Sequence, residues 1–132
     1  MPVNSKRKGK VGELEAAKYL RSLGFHSARR TVQHNGRSEG SLADLVCDEL
    51  PGLHIEVKRG GDPMEWRPGR DCVQNACEQA NRDSHGKPWC VLYRPNRQQW
   101  WCMVCLYYKK LATFVGDKDI RCVLLELTEK SR

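Results

Sequence analysis

Ala43-Asp44-Leu45-Val46-Cys47-Asp48-Glu49-Leu50-Pro51-Gly52-Leu53-His54-Ile55-Glu56-Val57-Lys58 is the stretch on which the fold turns. Two short apolar runs, 43–47 and 53–58, flank Asp48-Glu49-Leu50-Pro51-Gly52, whose Pro-Gly pair marks a tight reversal. The runs are therefore expected to pair as an antiparallel hairpin. Strand alternation sends Leu53, Ile55 and Val57 to one face and His54, Glu56 and Lys58 to the other. A symmetric turn sets Cys47 opposite Leu53 and Asp44 opposite Glu56. Two carboxylates facing each other across a strand pair repel, so a purely structural hairpin disfavours them there. A bound cation reverses that sign.

Upstream, apolar residues recur at helical spacing over residues 11–23, and Gly24 supplies the stop. At 100 degrees per residue, Tyr19, Leu23, Ala16, Leu20 and Ala17 share one arc, and Glu13 falls between Leu20 and Ala17. Glu13 is thus expected to point inward, where an unpaired charge is costly and must be compensated. Glu15 falls on the far side with Lys18 and Ser22 and reads as a solvated helix residue. Residues 25–32 suggest a short strand, and 34–41 a polar loop without periodicity.

Downstream, 60–69 is irregular. Val73, Ala76, Cys77 and Ala80 at i, i+3, i+4 and i+7 predict a helix over 70–83. Residues 88–94 and 98–104 read as a second hairpin about Pro95-Asn96-Arg97, 106–115 as a short helix and 120–127 as a final strand. The expected class is α/β, a central mixed β-sheet flanked by helices. The 132 residues fit a single domain, with a core over about 6–104 and a C-terminal extension, 105–132, of the same domain.

Lys and Arg outnumber Asp and Glu 23 to 16, for a formal charge of +7, which favours a polyanionic partner over a small neutral ligand. No apolar stretch approaches the ~20 residues needed to span a bilayer, and residues 1–10 are polar and basic, so a soluble, cytoplasmic protein is expected, with no membrane partner. The seven cysteines read as reduced thiols. Cys102 and Cys105 form a C-x-x-C pair, but a strand puts them on opposite faces and no second ligand pair has finger-like spacing. His26, His34, His54 and His85 are scattered, and a loop or surface role is the default for each.

The chemistry that fits the acids and the lysine is metal-dependent phosphodiester cleavage. It needs hard oxygen ligands for a divalent cation and a cationic group beside the attacked phosphorus. Asp44 and Glu56 supply oxygens, with the Val57 carbonyl as a third. Lys58 places an ammonium beside the attacking water and the phosphate. Glu13 binds the metal directly or through water, or helps to site a second ion. E-V-K alone is a common structural pattern; Asp44 in hairpin register and an inward Glu13 make the combination informative.

Lys8-Gly9 with Glu13 four positions after that glycine, then Gly40-Ser41-Leu42-Ala43-Asp44-Leu45, then Ile55-Glu56-Val57-Lys58, resemble the PD-(D/E)XK nuclease superfamily. Within it they resemble the archaeal-type Holliday junction resolvases, including phage-encoded versions. The motifs cover residues 6–59, and the helix and strands extend the likeness loosely to 104. Ala43 stands where a proline often precedes the first motif Asp, a position that varies in the family. The resemblance implies a restriction-endonuclease-like sheet and a Mg2+-dependent endonuclease, with Mn2+ as substitute and no small-molecule cofactor. It also implies a two-fold homodimer that nicks opposing strands of a four-way DNA junction in recombination and repair. Related resolvases use a serine and an arginine in the loop before the Asp, for which Ser38 or Ser41 and Arg30 or Arg37 are candidates.

Lys6, Arg7, Lys8 and Lys10 precede or open the first helix, and Arg29, Arg30 and Arg37 form a second basic group; both are expected to contact the DNA backbone. Trp66 has two readings, stacking on a splayed base or capping the core, of which capping is preferred. Gln79 borders the apolar face of its helix and is a candidate to approach the site, as a glutamine does in some relatives. Trp89, Trp100 and Trp101 fit core packing or a dimer face better than DNA stacking. Two other functions stay open: another nuclease of the same superfamily, of repair or restriction type, and a DNA-binding module on this fold that does not cut. The intact acids and lysine argue against the last.

Overall fold

The computed structural model describes residues 5–31, 43–105 and 112–130. Six strands form one sheet in the order β1 to β6: β1 Arg29–Arg30, β2 Leu45–Val46, β3 His54–Arg59, β4 Trp89–Arg94, β5 Trp101–Cys105 and β6 Ala112–Gly116. Every neighbouring pair is antiparallel except β3 and β4, which run parallel. A parallel pair needs a crossover, and helix α2, Asp71–Asp83, provides it after a 3-10 turn at Pro63–Trp66. Helices α1, Ser5–Ser22, and α3, Asp117–Lys130, complete the expected α/β class with its mixed, helix-flanked sheet.

Alternation along the strands builds two apolar layers. Ala16, Ala17 and Leu20 of α1 and Ile120, Leu124 and Leu127 of α3 pack on Leu45, Ile55, Leu92, Cys102 and Val104. On the other face Val73, Ala76 and Ala80 of α2 meet Trp89, Val91, Tyr93 and Met103. The fold is thus helix, sheet, helix, with α1 and α2 on opposite sides of β3. Gly12 sets how closely α1 lies on that strand, because a Cβ there would stand 2.6 Å from Arg59 Cβ.

Three expectations are corrected by these packings. Helix α1 begins at Ser5, earlier than residue 11, because its first turns are polar and leave no apolar period to read. The strand expected over 25–32 shortens to β1, and Phe25 and Ala28 are buried before it. The C-terminal segment is exchanged in kind: 112–116 is a strand where a helix was expected, and 120–127 lies in α3 where a strand was expected. Ile120, Leu124 and Leu127 recur at i, i+4 and i+7 and are buried on one stripe. Asp117 and Asp119 suit the positive end of the helix dipole. Each fully buried Ile or Leu contributes about 1.5–3 kcal/mol. The segment after 104 therefore completes the sheet and its core; residues 106–111 lie outside the described residues.

Candidate metal and catalytic site

Strands β2 and β3 pair with Leu45 opposite Ile55, the register expected from the turn. Asp44 stands just before β2 and is pinned twice. Its N–H donates to Ile55 O at 2.9 Å, and its Oδ2 accepts from Val57 N–H at 2.8 Å. The direction of the β3 backbone follows from two other bonds: His54 N–H donates to Pro88 O and Gly60 N–H to Arg94 O, both toward β4. Backbone groups of alternate residues point to opposite sides of a strand, so the N–H and C=O of Val57 face away from β4, toward Asp44. The Val57 carbonyl and the Asp44 carboxylate thus share one flank.

Glu56 is buried, 4% exposed, and lies beside Asp44. Burial pushes the Asp44 carboxyl up to about 7, and the charge of Glu56, a hydrogen bond with it and the charge of Glu13 push the same way, against the pull of Val57 N–H. That elevation marks a place where negative charge is crowded and uncompensated. Two carboxylates and a peptide carbonyl form a hard donor set. The residues fit Mg2+ or Mn2+, which bind through one or two carboxylates and otherwise through water and phosphate.

Lys58 projects to the α2 face, where Nζ donates to Gln79 Oε1 at 3.0 Å. Glu13 is placed differently from the expectation that four groups meet at one point. It approaches Asp44 from the α1 face and is engaged by Arg30, Nε to Oε1 at 3.1 Å. Among the described residues no three His, Cys, Asp or Glu side chains form a metal-holding group. Glu13 and Glu56 both act on the Asp44 carboxyl, Glu56 the more strongly.

Two residues escape the sequence reading. His54, expected in a loop or on the surface, is buried in β3 with Nε2 2.6 Å from Glu56 Oε1. The signal was present, since alternation puts His54, Glu56 and Lys58 on one face. Glu15 is not merely solvated: it accepts from Arg59 Nε at 3.1 Å and Arg94 Nη1 at 2.9 Å, tying α1 to β3 and β4. Its partners are distant in sequence, so no local pattern announces them.

The DNA-contact candidates divide. Lys10 is exposed on α1, and Arg29 is exposed and paired with Asp48 at 3.2 Å. The side chains of Lys6, Arg7 and Lys8, and all of Arg37, Ser38 and Ser41, lie outside the described residues, as does His34. Trp66 stacks on Tyr93, centroids 5.2 Å apart, so it caps the second core layer. Trp100 is buried against Tyr19, and Trp89 is buried with Nε1 donating to Asn81 Oδ1. Among the described residues no helix is long and apolar enough to cross a membrane.

No family model matches the chain, and no curated protein matches it. Among solved structures it is similar to Hjc, a Holliday junction resolvase from Archaeoglobus fulgidus, an archaeal hyperthermophile. The TM-score is 0.50 at 21% identity, over 91% of this chain and 99% of that one. The chain has the fold of an archaeal-type resolvase.

Proposed function

We propose that the chain is a Mg2+-dependent, structure-selective endodeoxyribonuclease that resolves four-way DNA junctions by paired nicks. The observation that carries this is the Asp44–Glu56 carboxylate pair with Lys58 on the next same-face position of β3, in a fold shared with a resolvase. The fold shared with a resolvase and the formal charge of +7 support branched DNA as the substrate. The protein is read as cytoplasmic and as a homodimer whose symmetry suits the junction.

Asp44, Glu56 and the Val57 carbonyl would hold the cation, which when bound supplies Lewis-acid stabilisation of charge on the phosphorane and an acidified water. Asp44 is fixed for this by its two backbone bonds, one through its own N–H and one through Oδ2, which hold its carboxyl against Glu56. The Lys58 ammonium, kept extended by Gln79 Oε1, offers charge to the developing oxyanion and helps orient the attacking water. Glu13 orients Arg30, and with Lys10 and Arg29 that arginine holds the phosphodiester backbone. Such contacts are to phosphate and carry little sequence information. Hydrolysis leaves a 5'-phosphate and a 3'-hydroxyl.

A labelled four-way junction and a matched linear duplex, each with Mg2+ or EDTA, test the reading. Cutting of the junction alone, and only with Mg2+, is expected. Equal cutting of both substrates points instead to a repair- or restriction-type nuclease. Tight junction binding without Mn2+ uptake or cutting points to a binding module.

A further inference from the structure

Glu56 is gripped on a side that the chemistry above leaves unused. His54 lies two residues earlier on the same face of β3, in register with Trp89 of β4. Its Nε2 stands 2.6 Å from Glu56 Oε1, and the two side chains are 6% and 5% exposed. A buried carboxylate needs hydrogen-bond partners whatever its role, so the pair alone has a structural reading. What goes further is the position of Glu56 beside a second carboxylate.

A cation held by both carboxylates would displace the hydrogen bond between Asp44 and Glu56, and the terminal torsion of a glutamate is soft, so the head of Glu56 needs a holder outside the pair. The nearby cationic groups are engaged elsewhere, Lys58 by Gln79 and Arg30 by Glu13. We infer that His54 is a positioning residue: Nε2–H donates to Glu56 Oε1 and locks the rotamer in which the other carboxylate oxygen is presented to the divalent cation. The inference rests on the metal reading proposed above. It requires the tautomer with the proton on Nε2. Partners of ligating carboxylates of this kind typically change metal affinity about 10–100-fold when removed.

Calorimetric Mn2+ titration of the purified protein at one fixed pH, beside its thermal unfolding, tests this. The variants are His54→Leu, which has no donor, and His54→Gln, whose amide nitrogen reaches the place of Nε2. His54→Leu is expected to bind Mn2+ at least about tenfold more weakly, and His54→Gln close to the wild type, whatever their melting temperatures. If His54→Leu does not fold, His54→Asn, polar but too short to reach Glu56, takes its place with the same expected loss. Wild-type affinity in His54→Leu or His54→Asn, or equal loss in His54→Gln, overturns the positioning role. The metal reading is separate: it survives that result if Glu56→Gln loses Mn2+, and it falls, taking the inference with it, if the wild type takes up none.

Discussion

Asp44 meets opposite demands from folding and from the proposed catalysis. Its carboxyl is raised from 3.8 to about 7, chiefly by burial and then by Glu56, so between those values the folded state holds a proton that the unfolded state has released. Stability therefore falls as pH rises through that window and is lowest above it, the reverse of a salt-bridged aspartate. Asp44→Asn keeps an acceptor for Val57 N–H and removes the charge. Its melting temperature in chelator should exceed the wild type's at pH 8 and approach it near pH 4, while junction cutting is lost. A wild-type-minus-variant difference that is flat with pH would contradict the crowding of charge. Lys58→Met should cut at least about 100-fold more slowly yet bind Mn2+ normally, because it would remove the proposed charge stabilisation and no ligand. The Asp44 register was legible because turn length and strand alternation are local. The pairing of Glu15 with Arg59 and Arg94 was not, because it depends on how a helix is laid across two strands.

Helix α1 carries its two glutamates to different places because it is pressed onto the end of β3. Gly12 permits that approach, and Glu15 bridges Arg59 and Arg94 to hold it. Gly12→Val puts a branched side chain where even a Cβ stands 2.6 Å from Arg59 Cβ, so the helix must move outward. Overpacking of this kind typically costs about 1–3 kcal/mol. Urea unfolding should report that loss, and displacement of Glu13 should lower junction affinity as Arg30 loses its partner. Unchanged stability would mean that α1 does not sit this close. At this scale the hairpins about the Pro-Gly turn and Pro95-Asn96-Arg97 could be read ahead of the structure, since each is closed by its own loop. The C-terminal elements could not. The run Val123-Leu124-Leu125 is apolar enough for either a strand or a helix, and the stripe of Ile120, Leu124 and Leu127 against the sheet decides it.

At the scale of the molecule, a junction presents two equivalent strands and each chain offers one pair of carboxylates, so the proposed resolution would take two sites acting in one complex. That arrangement predicts how a mixture behaves. Wild-type protein acting on a supercoiled plasmid with an extruded cruciform should release linear DNA, because the second nick follows before dissociation. In the proposed homodimer, reassembly with an excess of Asp44→Asn would put most wild-type chains into mixed dimers that bind the junction and carry one working site. The product should shift from linear to nicked circle as the excess grows, with total nicking falling more slowly than linearisation. Linear product that stays in constant proportion to nicks would show that each chain cuts alone. Adding salt should weaken binding of wild type and mixture in parallel, since the proposed phosphate contacts of Lys10, Arg29 and Arg30 would be spread over both chains and would not depend on Asp44.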